Sequence, residues 1–127
     1  MHSLVFEIPK IDNITLELDD SGTSGLILLR LPFTVKINIW GEEIYTEPIP
    51  VRAEEENAKP VVELFDVAYW PPGQALCLFF GPTPISKDEI RPYSPVNVIG
   101  KIKNPDKKIL SKLRDGMKVT IRLAGLG

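Results

Sequence analysis

The stretch Asp66-Val-Ala-Tyr-Trp-Pro-Pro-Gly-Gln-Ala-Leu-Cys-Leu-Phe-Phe-Gly-Pro-Thr-Pro84 carries two apolar, aromatic-rich runs on either side of Trp70-Pro71-Pro72-Gly73. Proline fixes φ and glycine frees it, so a Pro-Pro-Gly step between two β-prone runs reads as strand, tight turn, strand. In the second run Leu76, Leu78 and Phe80 fall on one face, with Cys77 and Phe79 on the other. A strand apolar on both faces must be covered on both. In a small barrel one face meets the core and the other lies beneath a helix or loop.

Alternation of the same kind recurs along the chain. Leu4, Phe6 and Ile8 form one apolar series, Ile14, Leu16 and Leu18 a second, and Val35, Ile37 and Ile39 a third ending at Trp40-Gly41. Ile44 to Thr46 pairs back on that strand across Gly41-Glu42-Glu43 as a hairpin. Val61 to Trp70 and Ala75 to Phe80 are the central strands. Val96, Val98 and Ile102 belong to another, where Gly100 marks a bulge. Met117, Val119, Ile121 and Leu123 give the last.

Two stretches break the alternation. Leu26 to Leu31 is too continuous for a two-sided strand and reads as a helix of two to three turns capped by Ser21 or Thr23. Gly25 weakens that helix by roughly 1 kcal/mol against alanine, and a buried strand is the alternative. Asn104-Pro105 reads as an N-cap followed by proline at the first helical position, with Asp115-Gly116 as the stop. About eight strands and two short helices in 127 residues point to one mainly β domain over 1–127, a closed barrel or a sandwich.

Fifteen basic residues against seventeen acidic give a net charge of −2, which supplies no face for neutralising phosphates, so nucleic acid is not an expected partner. The basic residues between Lys101 and Lys118 are interrupted by Asp106 and Asp115 and read as a solvated helix face; Glu54-Glu55-Glu56 likewise reads as a solvated loop. No run reaches the ~18–20 apolar residues needed to cross a bilayer, and nothing at the N-terminus resembles a leader. One cysteine gives no internal disulfide. A soluble cytoplasmic protein without a membrane partner is the expectation.

Tyr69 to Pro84 resembles the signature of the small single-domain cyclophilin-like proteins of archaea and thermophilic bacteria. The leucine-rich segment ending in Leu31-Pro32, the strand closing as Asn38-Ile-Trp-Gly-Glu-Glu-Ile-Tyr45, Asn97-Val-Ile-Gly-Lys-Ile102 and Leu113-Arg-Asp-Gly-Met-Lys-Val119 agree with it in order. The resemblance implies a closed antiparallel cyclophilin-like β-barrel of about eight strands, with helices over its open ends and no assigned biochemical role.

Cyclophilins proper are prolyl isomerases, and their mechanism places a guanidinium from a Phe-His-Arg strand near the prolyl amide, beside a Phe-x-x-Gln-Gly-Gly segment. Neither motif occurs in this sequence, and the single histidine is His2. No catalytic residue is therefore assigned, although an isomerase with a divergent site stays as an alternative. One cysteine and one terminal histidine do not make a four-ligand zinc site, Gly22-Thr-Ser-Gly25 lacks the lysine of a phosphate loop, and Cys77 reads as an inert buried thiol. No metal and no cofactor is expected.

The preferred reading is a non-enzymatic binding module. Trp40, Tyr45, Tyr69, Trp70 and Phe79 supply apolar walls, with Asn38, Gln74 and Thr83 as polar orienting groups, for a small molecule or a proline-containing peptide. Tyr69 and Trp70 stand out, because a Pro-Pro-Gly turn tends to hold its neighbours at the surface. Packing in the core and hairpin is the competing reading for each ring. In a third reading the aromatic patch meets another chain or a second copy of this one.

Overall fold

The computed structural model describes residues 2–125. Its strands are β1 (His2–Glu7), β2 (Ile14–Leu18), β3 (Phe33–Trp40), β4 (Glu43–Thr46), β5 (Asp66–Trp70), β6 (Ala75–Phe79), β7 (Asn97–Lys103) and β8 (Lys118–Leu123). Helix α1 (Gly22–Arg30) lies between β2 and β3, and the single turn α2 (Lys107–Leu110) between β7 and β8. All pairings are antiparallel, and the order β1-β2-β7-β5-β6-β4-β3-β8 closes on itself through β8 and β1. Among the described residues no helix is long and apolar enough to cross a membrane.

Alternation decides what fills the barrel. Leu4 and Phe6 of β1, Leu16 and Leu18 of β2, Ile37 of β3, Ile44 of β4, Val67 and Tyr69 of β5, Leu76 and Leu78 of β6, and Val119 and Ile121 of β8 are fully buried in one continuous core. Ile27 of α1 and Leu110 of α2 join that core. At ~25 cal/mol per Å2 of apolar surface, each such side chain contributes roughly 1.5–3 kcal/mol.

The turn after β5 is a short 3-10 turn, Pro71–Gly73, closed by Gln74 in the left-handed region at φ 49°. The bulge expected at Gly100 is present. Val67 faces Gly100 and Ala68 faces Val98, so β7 carries one residue more than β5. Gly100 also lets β7 approach β2, since a Cβ there would lie 1.9 Å from the Glu17 carbonyl oxygen.

Helix α1 wins over the buried-strand alternative because its N-terminal donors are answered. Ser21 Oγ accepts from Ser24 N–H (3.2 Å), and Glu56 accepts from the N–H groups of Gly22 (3.1 Å) and Thr23 (2.9 Å). Glu56 is thus a helix cap reaching from a distant loop while staying in contact with solvent, a role that its reading as a surface glutamate did not include. Hydrogen bonds from Thr23 and Gly22 hold its carboxyl below the usual carboxylate range.

Two boundaries also differ from the sequence reading. Asp106 caps α2, accepting from Lys108 N–H (2.9 Å), whereas Asn104 sits at φ 47°, outside any helix. The aspartate reaches a donor two residues on and starts the turn after the proline. Residues 61–65 are not part of β5. They run across the outside of the barrel, touching the chain at the isolated bridges Lys59↔Val96 and Val62↔Ile90.

That outer layer encloses a second small core. Val62, Ala68, Ala75, Cys77, Phe79 and Val96 bury one another beneath the segments 59–65 and 90–96. The two-sided burial of β6 is accounted for: Leu76, Leu78 and Phe80 belong to the barrel interior, and Cys77 and Phe79 to this outer core.

Candidate functional site

Register assigns the outward face. Directly opposed residues of an antiparallel pair share a face, and the pairs Trp40↔Glu43, Glu43↔Phe79, Tyr45↔Cys77, Ala68↔Cys77 and Trp70↔Ala75 carry one face across β3, β4, β6 and β5. On its margin, where the covering segment arrives from β6, lies a cavity of about 200 Å3 lined by Trp40, Glu43, Tyr45, Trp70, Cys77, Pro92, Tyr93 and Val96. It lies outside the barrel, between the sheet and the loop preceding β7.

Tyr93 stands over the mouth. The residue is 72% exposed, and its ring meets Trp40 and Trp70 edge-on, at centroid distances of 6.2 and 5.9 Å and interplanar angles of 68° and 82°. Tyr93 thus meets both tryptophans edge-on, and all three rings line the cavity. Trp70 is fixed further by its indole N–H, which donates to Ser94 Oγ at 2.6 Å. Its ring also lies against its own turn, where a Cβ on Gly73 would stand 2.4 Å from ring carbons.

The loop that brings Pro92 and Tyr93 is tied at its base. Thr83 Oγ1 donates to the Arg91 carbonyl (2.5 Å), while Ser86 Oγ accepts from Thr83 N–H (2.9 Å) and Arg91 N–H (3.0 Å). Glu42 N–H donates to the Pro82 carbonyl (2.9 Å), fastening the loop to the β3–β4 hairpin.

Glu43 gives the cavity its chemistry. Among the described residues it is the only charged side chain in the lining and its Oε1 finds no hydrogen-bond partner, and it is 6% exposed. Burying a carboxylate without partners disfavours its charged form. Burial pushes the Glu43 carboxyl up to about 7, against an opposing pull from the Cys77 thiol. Burial and the neighbouring Glu43 push Cys77 well upward in turn. Tyr45 is raised by burial and by the carboxylates around it. No group of three His, Cys, Asp or Glu side chains that would hold a metal occurs among the described residues.

The residues singled out in the sequence fall into two sets. Trp40, Tyr45 and Trp70 line the cavity together. Tyr69 does not stay at the surface beside its turn: alternation sends it inward, fully buried, where its hydroxyl donates to the Val51 carbonyl (2.8 Å) and accepts from Ala53 N–H (3.2 Å). Gln74 reaches the Ile49 and Val51 carbonyls, Asn38 donates to the Glu47 carboxylate, and Phe79 is buried in the outer core. Thr83 lies outside the lining and holds the covering loop.

Sequence reasoning passed over Glu43 and Tyr93. Glu43 looked like part of a charged turn, and its burial depends on a loop some fifty residues on. A signal did exist, since the pattern that puts Tyr45 opposite Cys77 puts Glu43 opposite Phe79, on a strand with no exposed face.

Comparison with known proteins follows the geometry. The family model described as Cyclophilin-like matches residues 2–122. The solution structure of a hypothetical protein from Archaeoglobus fulgidus is 43% identical, with a TM-score of 0.81 over 97% of this chain and 95% of that one. The structure of McbB in complex with tryptophan shares the fold at 17% identity, with a TM-score of 0.62 over 98% of this chain and 45% of that one. No curated protein matches.

Proposed function

We propose that this chain, which belongs to the cyclophilin-like family, is a binding module that takes a small ligand into the outer cavity between Trp40, Glu43, Tyr45, Trp70 and Tyr93. One observation carries the reading: a carboxylate oxygen buried without a partner points to a group that the free protein does not supply. Natural pockets combine apolar walls with a few placed polar groups, and this cavity has four aromatic rings and one carboxyl. Its volume of about 200 Å3 lies below the ~300–1,000 Å3 of pockets for drug-sized molecules, so the ligand is small.

Fold alone does not carry function, so the proposal rests on the cavity and not on kinship with prolyl isomerases. The test is a thermal-shift screen of small metabolites and proline-containing dipeptides, with tryptophan, the molecule in the McbB complex, in the first panel. A ligand that binds only the folded state raises the melting temperature by mass action. The expected result is a saturable rise that Trp70→Ala abolishes while the variant still unfolds cooperatively. Ligands that stabilise Trp70→Ala as well as the parent protein would place binding elsewhere.

A further inference from the structure

We infer that the ligand of this cavity is a small protonated amine, its N–H donated to the Glu43 carboxylate and its carbon body held among the rings of Trp40, Trp70 and Tyr93. The inference rests on the binding role proposed above and names the ligand's class. Charge selects it first. Among the described residues Glu43 is the only charged side chain lining the cavity, so an anion would meet like charge at close range. A neutral hydrocarbon would leave Glu43 Oε1 as it now stands, buried and without a partner.

An ammonium group answers both requirements, because it is a cation and a hydrogen-bond donor at once, and charge-assisted bonds are the stronger kind. The walls favour the same class. Aromatic faces attract a cation by their quadrupole, most of all tryptophan, and quaternary and protonated amines are the ligands that such ring cages hold. Here Tyr93 stands at 68° and 82° to the two tryptophan rings and closes the third side. No donor among the described residues reaches Oε1, and in the geometry the Cys77 thiol beside the carboxyl donates to the Ala75 carbonyl at 3.9 Å.

The titratable groups around Glu43 are Cys77 on β6, Tyr45 on its own strand and Tyr93 from the covering loop. Burial holds Cys77 and Tyr45 in their neutral forms at ordinary pH, whereas the Glu43 carboxyl changes charge at about 7. Amine binding needs the carboxylate and therefore strengthens as pH rises through about 7.

The experiment is isothermal titration of isobutylamine, cyclohexylmethylamine and tryptamine at pH 8, each beside the alcohol and the carboxylate with the same carbon body. Three outcomes are informative. Amines binding at least ten-fold tighter than their alcohols, with that preference lost in Glu43→Gln and the affinity falling several-fold at pH 6, support the inference. Alcohols or carboxylates binding as well as the amines in a Trp70-dependent manner overturn the amine class and leave the cavity as a binding site. No binding by any member of the nine overturns both. Tyr93→Ala, at a residue 72% exposed, provides the control for the cage: a loss of several-fold in amine affinity is expected, and unchanged affinity would remove the ring walls from the argument.

Discussion

Replacing Glu43 by glutamine should convert a pH-dependent protein into a nearly pH-independent one between pH 5 and 8. In the folded chain the Glu43 carboxyl titrates at about 7, against 4.5 for the exposed residue. The folded state therefore holds its proton more tightly than the unfolded chain. Its contribution to stability is complete below pH 4.5 and is lost as pH rises through 7, the reverse of an ordinary paired carboxylate. A gap of 2.5 (7 minus 4.5) at 1.36 kcal/mol per pH unit comes to about 3 kcal/mol. Glu43 is almost wholly shielded from solvent, so screening takes little from that figure. Asp19 and Glu56, both held below the usual carboxylate range by hydrogen bonds, lose their contribution only at more acidic pH and do not blur the window. Urea unfolding followed by far-UV circular dichroism, at pH 5 and at pH 8, measures the effect in both proteins. The parent should lose roughly 2–3 kcal/mol of this between the two, because pH 5 already lies above the unfolded value, on the order of 10 °C in melting temperature for a domain of this size, and Glu43→Gln should lose under 1 kcal/mol. Equal pH slopes in the two proteins would refute the reasoning, because they would mean that the carboxyl is solvated.

Other substitutions test other parts of the fold. Tyr69→Phe removes a buried hydroxyl bonded to Val51 and Ala53, and should cost about 1–3 kcal/mol in chemical denaturation without altering ligand affinity. Gly100→Ala pushes a methyl group into the Glu17 carbonyl across the β2–β7 pair, so a loss of several kcal/mol or failure to fold is expected; a well-folded, equally stable variant would contradict the described register. Gly73→Ala drives its Cβ into the Trp70 ring and should dislodge that ring from the cavity wall. NMR shifts of the Trp70 indole N–H, together with a ligand affinity reduced several-fold at small cost in stability, would show this.

Much of the barrel was readable from alternation alone. Leu76, Leu78 and Phe80 against Cys77 and Phe79 announced a strand buried on both sides, and the structure supplies an interior for one set and an outer core for the other. The cavity was readable only in part. Alternation also separates Tyr69 from Trp70, yet nearness to the same turn drew the two together in the sequence. Local pattern says nothing of what covers a strand from outside. The segment between Pro82 and Pro95 reads as a loop-like, proline-rich connection, and only its fastening through Thr83, Ser86 and Arg91 shows that it delivers Tyr93 to the mouth. For the same reason Glu43 resembled any other glutamate in a hairpin, because its desolvation is a tertiary effect. The cap on α1 illustrates the same limit, since Glu56 finds Gly22 and Thr23 across more than thirty residues.

The chain has two tryptophans, and both stand at the cavity, Trp40 on one wall and Trp70 on another. Its intrinsic indole fluorescence therefore comes entirely from the place where a ligand would sit. Occupancy should register as a shift or quenching of native emission without any label, and a collisional quencher such as acrylamide should lose access to the rings as the site fills. The molecule carries its own optical reporter, and the arrangement of rings that defines the mouth also makes its contents visible.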